Sequence, residues 1–376
     1  MLRRPFVLAS LAAGAALRAR AAAAAAAATS DLVLGQSAPL SGPLAPPVLA
    51  FNAGARMAFD QANAHGGVAG RQIRWITADD RGDPALAHAI CDKLIDGQQA
   101  LALFGCAGSL SSAAIEPLLR EQGVPALGGL WVADSVREQC RGAAYFVRAS
   151  HAQEADALAR HLATVGLQRI GVAHLTTPFG QEGMKIIGDA LTRHGLTLLG
   201  SAALTAEGAT AQEAARKLLA LDPQAVLMFV NGAQAAAIMQ TAASLRRHPA
   251  FFGLSVVADE DALRRLGPQA RGLAISQVAP YPWSETERQI ADYREQARAA
   301  GVPIGYASLE GWLNAQVMIE ALRRCGGQFT RARLHAALRL LQLHVAGMAV
   351  DFSRREIGGS RFVELVQLAG SGRYLR

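Results

Sequence analysis

The run LVLGQSAPLSGP (residues 32–43), followed by GARMAFDQANAHGGVAG (54–70) and RQIRWITADDRGDP (71–84), reads as one strand, helix, strand unit. Leu32, Val33 and Leu34 form a short apolar run that Ser37, Ser41, Gly42, Pro43, Pro46 and Pro47 break into a loop. Ala55, Met57, Ala58, Phe59 and Ala62 then set an apolar stripe at helical spacing. Gly66 and Gly67 end that helix because glycine accepts the positive φ of a helix C-terminus. Ile73, Trp75 and Ile76 begin a second strand that runs into Ala78, Asp79 and Asp80, and Asp83 with Pro84 supplies the N-cap and first-turn proline of another helix.

The same alternation continues outward. Strands are expected at residues 100–104, 125–128 and 145–148, which with the first two make a parallel sheet wound on both faces. A polar, helix-starting stretch at 150–154 marks a crossover, after which strands at 169–174, 196–202, 225–229 and 251–253 alternate with helices such as 183–194 and 210–220. The expectation is an α/β chain of two doubly wound parallel-sheet lobes, which suits a length of 376 residues. Hydrophobic residues make up 51% and aromatic residues 6%, so the core is to be filled mostly by Ala, Leu and Val.

Charge and motif content narrow the function. The formal charge is +7, but Arg3, Arg4, Arg18 and Arg20 lie in an N-terminal leader, leaving 33 basic against 30 acidic residues, too even a balance for nucleic-acid binding. No G-x-G-x-x-G or G-x-x-x-x-G-K-S/T follows a strand, and no nucleophile, base and orienter set is evident, so neither an enzyme nor a bound cofactor is expected. Cys91, Cys106, Cys140 and Cys325 fit no zinc spacing, and His65, His88, His151 and His161 do not cluster, so no metal site is expected.

Arg3 and Arg4, an apolar run over residues 5–17 and a polyalanine tract ending near Ala28 read as a signal peptide over residues 1–28, cleaved near Ala28, hence export to the periplasm. The order R-R-P-F-V-L fits a twin-arginine signal and an ordinary secretory one equally. No cysteine follows the apolar run, which favours a diffusible protein over a lipid-anchored one, and no later segment has the uninterrupted apolar length of a membrane span. In an oxidising compartment the four cysteines permit one or two disulfides, with buried free thiols as the alternative.

PLSGP, the GA-x-x-A helix, N-A-x-G-G-V-x-G and the D-D-x-x-D-P turn stand in register across residues 39–84, and the chain after the leader resembles type I periplasmic binding proteins, the leucine/isoleucine/valine-binding group that feeds ABC importers. The resemblance implies a monomeric clamshell that closes on a small-molecule ligand and delivers it to a membrane permease. A ligand-sensing receptor subunit of the same fold is the alternative. It implies lobe 1 from residues 29–148 plus 278–348 and lobe 2 from 149–277 plus 349–376, joined by a three-segment hinge. Residues 306–325 form a helix returning to lobe 1, and a last hairpin of 349–352 with 362–368 makes the third crossing. Relatives that carry a disulfide join the D-D-x-x-D-P turn to the loop after the third strand; those positions here are Gly82 and Gly108, so that bridge is absent.

In parallel sheets ligands sit beyond the carboxyl ends of the strands. The loop from Gly105 through Ser109, Ser111 and Ser112 leads into a helix whose free N–H groups suit a carboxylate. Ser111 or Ser112 serves as the helix cap, while Ser109 falls where the family's serine binds the ligand carboxylate. Leu130 and Val132 fall on positions that are alanine and threonine in amino-acid binders, and Trp131 either lines the pocket or packs under the loop. In lobe 2 Phe179 takes the place of a tyrosine stacked over the ligand, and Asn231 either meets the ligand or caps the next helix. Ser255 stands where branched-chain amino acid binders place a glutamate for the ligand ammonium; without an acid there, an α-amino acid ligand is disfavoured unless Asp259, Glu260 or Asp261 substitutes. Tyr281 and Trp283 form an aromatic wall near the hinge or pack in the interface. The expected cargo is a small carboxylate, amide or amino-acid-like molecule with an apolar body.

Overall fold

A computed structural model describes residues 31–205, 210–258, 267–370 and 373–376; the leader and the alternative acids Asp259, Glu260 and Asp261 lie outside the described residues. The first sheet joins β1 (Leu32–Ala38), β2 (Ile73–Asp79), β3 (Ala102–Phe104), β4 (Ala126–Leu127) and β5 (Ala144–Tyr145) in the parallel order β2-β1-β3-β4-β5. Its helices are α1 (Ala45–Ala64), α2 (Pro84–Asp92), α3 (Ser109–Glu121) and α4 (Asp134–Gln139). Strand order reverses at the β1/β3 boundary, so the loops after these strands diverge and leave a crevice at their carboxyl ends.

The second lobe repeats the plan. After α5 (His151–Thr164), strands β6 (Arg169–Leu175), β7 (Thr197–Leu204), β8 (Ala225–Phe229), β9 (Ala250–Gly253) and β10 (Ala274–Gln277) are parallel in the order β7-β6-β8-β9-β10, with α6 (Pro178–Arg193), α7 (Ala211–Ala220) and α8 (Gly232–Ser244) between them. Its switch point lies between β6 and β8, which places Phe179 and Asn231 at the rim of the second crevice. The chain then forms α9 (Arg288–Ala300), α10 (Tyr306–Arg324) and α11 (Arg331–Arg339).

Helix α10 packs back on α1, as expected, and glycine makes the crossing possible. A Cβ on Gly54 would stand 1.8 Å from the Ser308 carbonyl oxygen, and one on Gly311 1.9 Å from that of Phe51. Helix α1 starts at Ala45, so Pro46 and Pro47 lie in its first turn and not in the preceding loop, a place where proline's missing N–H has no intrahelical partner to lose. Asp83 caps α2 through the N–H groups of Ala85 and Leu86 (2.8 and 3.1 Å).

The closing strands correct the expected hairpin. Residues 348–351 pair with the preceding segment, β11 (Gln342–Val345) with β12 (Met348–Asp351), across a two-residue turn at Ala346 (φ 49°) and Gly347 (φ 77°). Two successive positive φ values are the signature of the tight turn whose twist matches a hairpin. Strands β13 (Glu364–Leu368) and β14 (Tyr374–Leu375) join the second sheet, β13 antiparallel to both β10 and β14. We therefore place the third crossing after Asp351 and not at residue 349. This crossing is bonded to the first: Gly359 N–H donates to the Phe146 carbonyl (2.7 Å) and Ser360 N–H to that of Val147 (2.8 Å). All four cysteines are buried free thiols.

Candidate functional site

The acidic turn after β2 anchors the first wall of the crevice. Asp79 accepts from the Leu40 N–H (2.8 Å) and the Ser41 hydroxyl (2.6 Å), fixing the PLSGP loop; the Ser41 bond first, then the backbone donors, hold its carboxyl below the usual range. Asp80 accepts from Ser37 (2.8 Å) and the Gly82 N–H (2.8 Å). Beneath the loops, Gln36 donates to Asn52 Oδ1 (2.8 Å) and to the Gly105 carbonyl (2.7 Å), and Asn52 returns a bond to Gln36 (2.8 Å). This buried amide pair ties β1, α1 and the loop after β3 together. Sequence reading missed it, because the two partners lie on different elements and neither has a local signature.

Gly108, with φ 90°, turns the chain into α3, whose N-terminus has no side-chain cap, so neither Ser111 nor Ser112 serves as one. Ser109 is engaged elsewhere: its hydroxyl donates to the Trp131 carbonyl (3.0 Å) and accepts from the Ala133 N–H (2.9 Å). It thereby braces the loop after β4, and its proton can reach a ligand carboxylate only by leaving Trp131. Leu130 and Val132 are buried in core clusters, so they offer the crevice backbone and not side chain. Trp131 between them is half-buried and left-handed, φ 55°, an uncommon and strained state for a bulky residue. Leu44 and Leu110, at the starts of α1 and α3, are 48% and 65% exposed, an apolar lining for the same rim.

On the second wall, Phe179 is half-buried and its ring meets Phe229 (centroids 4.7 Å apart) and the edge of His151 (5.4 Å). Asn231 caps α8 in a reciprocal box with Gln234 (2.9 and 3.1 Å), which engages its carbonyl oxygen. Ser255 is where the structure adds most. The buried carboxylate of Glu154, from the first turn of α5, accepts from the Ser255 N–H (2.8 Å), the Ser255 hydroxyl (3.0 Å) and the Ser276 hydroxyl (2.7 Å). An acid therefore does stand at this strand end, delivered from another element. It faces Arg148 at 3.9 Å; Arg148 also donates to the Ser255 hydroxyl (2.5 Å) and pairs with Glu310 of α10 (3.7 Å).

Nearby, Arg137 of α4 is 1% exposed and donates to the carbonyls of Val132 (2.9 Å) and Ala149 (3.0 Å). Burial lowers it to about 10, against the opposing pull of Asp134, Glu154 and Glu310. Burial pushes Glu310 up, and Arg148 offsets part of that rise. Asp134 accepts from the N–H groups of His151 and Ala152 (both 3.0 Å) at the start of α5; although burial pushes it up, the His151 bond and charge and the Arg137 charge hold it well below the carboxylate range. Tyr281 and Trp283 pack in the lobe interface: the Tyr281 hydroxyl donates to the Tyr374 carbonyl (3.1 Å), and Trp283 stacks on the Tyr374 ring (5.7 Å) and meets Tyr306 edge-on (5.8 Å).

Two lobes of the same parallel winding, opposed across their switch points and joined by paired hinge segments, match a known architecture over nearly the whole chain: residues 31–372 fit the family described as periplasmic binding protein. The chain belongs to the periplasmic binding protein family. An extracellular ligand-binding receptor from Verminephrobacter eiseniae is 26% identical with a TM-score of 0.86, covering 92% of this chain and 100% of that one. A substrate-binding periplasmic protein from Ralstonia solanacearum is 28% identical with a TM-score of 0.84, covering 92% and 99%. An amino acid binding protein of Pseudomonas aeruginosa is 32% identical over 98 residues, and that match spans 26% of each chain.

Away from the hinge, one contact joins α4 to α6 across the crevice. The Ser135 N–H of α4 donates to Glu182 Oε1 of α6 (2.9 Å), and the Ser135 hydroxyl donates to Glu182 Oε2. No motif in the sequence marks this pair, since a serine and a glutamate near helix starts are ordinary surface residues.

Proposed function

We propose that this periplasmic binding protein captures a small organic carboxylate with an apolar body, closes its lobes on it in the periplasm and hands it to the permease of an ABC importer. The charge balance around Ser255 carries the reading. Glu154 lies where an ammonium would be met, but it already holds three hydrogen bonds and faces Arg148. Around Ser255, Arg137 and Arg148 are set against Glu154, Glu310 and Asp134, and each of these carboxylates is already engaged by a guanidinium or by N–H and O–H donors, so an ammonium arriving there would have to displace a partner or be buried unpaired, which costs several kcal/mol. On the opposite wall the uncapped start of α3 supplies N–H donors and a partial positive charge for a carboxylate, beside the apolar Leu110 and Trp131.

The test is a matched pair: 4-methylpentanoate and leucine, which share a carbon skeleton and differ by the ammonium. In a thermal-shift titration the carboxylate is expected to raise the melting temperature, approaching the roughly 2.7 kcal/mol that a ligand at 100 times its dissociation constant contributes. Leucine is expected to leave it unchanged. A shift with leucine alone would overturn the charge argument at Ser255, and a failure of the liganded protein to stimulate ATP hydrolysis by the reconstituted importer would overturn the transport role.

A further inference from the structure

A second concavity lies outside the interlobe crevice, beside the edge strand β5. It is a cavity of about 320 Å³ whose walls include Arg137, Tyr145, Phe146, Arg339, Phe352 and Arg355. That size is at the lower end of small-molecule sites. Its walls combine flat apolar surface with positive charge. The Tyr145 and Phe352 rings meet edge to face at 5.3 Å, and the Arg137 guanidinium lies over the Phe146 ring at 5.3 Å.

The charge is unbalanced once each partner is traced. Arg141, also in the wall, is engaged by Glu138 and by the Arg355 carbonyl. The one acid of the wall, Glu356, is engaged by both Arg361 donors, which first and foremost hold its carboxyl below the usual range. Arg339 and Arg355 have no acidic partner and no side-chain hydrogen bond among the described residues. At the inner wall, Arg137 is buried, yet its Nη2 has no acceptor. A buried donor without a partner is rare, because leaving it unmade costs about 1–3 kcal/mol.

Two free guanidinium groups and one buried, incompletely bonded one, set around three aromatic rings, suit a planar anion whose charged end takes charge-assisted bonds and whose body lies on the rings. We propose that this cavity is a second binding site, for a small aryl carboxylate seated on Tyr145, Phe146 and Phe352 with its carboxylate toward Arg339 and Arg355. The ligand would bridge the end of α11 to the third crossing, and through Arg137, which holds the Ala149 carbonyl, it would also touch the first. The site goes beyond the cleft reading and does not depend on it.

Photoaffinity labelling with 4-azidobenzoate, followed by peptide mapping, tests both locations in one digest. Adducts are expected within residues 141–146 or 352–357, and they are expected to disappear with excess benzoate. Arg339 and Arg355 are exposed, so the double variant R339Q/R355Q should keep its fold, checked by its melt, while labelling of these peptides falls about tenfold or more. Adducts confined to the cleft segments 106–112, 129–133 and 176–180, no adducts at all, or adducts beside β5 that persist in the double variant would each overturn the second site. Adducts in the cleft peptides report separately on the first.

Discussion

Replacing Trp131 by alanine and, separately, by glycine separates what its indole does from what its backbone costs. The residue has φ 55°, held by the bond from the Ser109 hydroxyl to its carbonyl at 3.0 Å. For a residue with a Cβ the left-handed state costs about 1–2 kcal/mol. Both variants lose the same indole, so their difference reports the backbone alone. Glycine removes the strain but gives back about 0.4–1 kcal/mol through the freedom of the unfolded chain. The glycine variant should therefore be the more stable of the two by roughly 0.5–1 kcal/mol, a melting difference of about 1 °C at this chain length. Side-by-side calorimetric melts read it directly. If the indole lies on the ligand, both variants should also lose a similar affinity, about 1 kcal/mol or fivefold, in calorimetric titration. An alanine variant as stable as the glycine variant would refute the strain argument, and unchanged affinity in both would remove the indole from the site.

Ser109→Ala deletes two hydrogen bonds that brace the same loop, and a loss of about 1–3 kcal/mol in urea unfolding is expected, together with weaker carboxylate binding; unchanged stability would show the brace to be unimportant. Glu154→Gln leaves Arg148 with Glu310 alone and should lower stability by about 3–5 kcal/mol in the same assay, whereas a loss near zero would mean that the pair is not buried as described. Glu182→Ala removes the contact between α4 and α6, away from the hinge; small-angle scattering of the unliganded protein should show a larger radius of gyration, and an identical curve would rule out a latch. Asp134 lies below its ordinary value of 3.8, so its contribution is fully present above that pH and is lost as pH falls through the lower folded value. Asp134→Asn should accordingly lower stability at pH 7 but make little difference well below pH 3.8, and an equal loss at both would show that the carboxylate charge is not what acts.

The parallel winding was legible because each strand is a short apolar run followed by a turn and an amphipathic helix, and that alternation admits few folds. The acidic turn was legible as a motif, though its reason is spatial: Asp79 pins a loop nearly forty residues earlier, at Leu40 and Ser41. The β11–β12 hairpin was not legible, since its tight turn is built on Ala346 and Gly347 and lacks the asparagine or aspartate that usually announces two positive φ values. Ser109 reads in the sequence as a carboxylate contact, and its brace on the loop after β4 shows only once its partners are known; Asn231 could be narrowed to a ligand contact or a cap but not chosen between, because an amide at a helix start serves both. For Asn231 the structure decides: it forms a reciprocal box with Gln234, whose N-x-x-Q spacing is visible in the sequence but plays no part in the sequence reading.

Ser255 shows why a pocket's charge cannot be read position by position. The acid missing from that strand end arrives from α5, and with it comes Arg148, so the local charge is a property of three elements that meet only in the fold. Arg148 follows the first crossing strand, its nearer partner by hydrogen bond is Ser255 of the second lobe, and its other carboxylate, Glu310, belongs to the helix that packs on α1 of the first. A ligand ammonium would have to compete with this guanidinium for Glu154, and displacing it would leave a buried cation facing one acid already pushed toward protonation. If the ligand is the carboxylate proposed above, discrimination against amino acids would need no repulsive group in the cleft: it would follow from a counter-charge that the hinge itself provides, and the same guanidinium bonds both lobes where they turn.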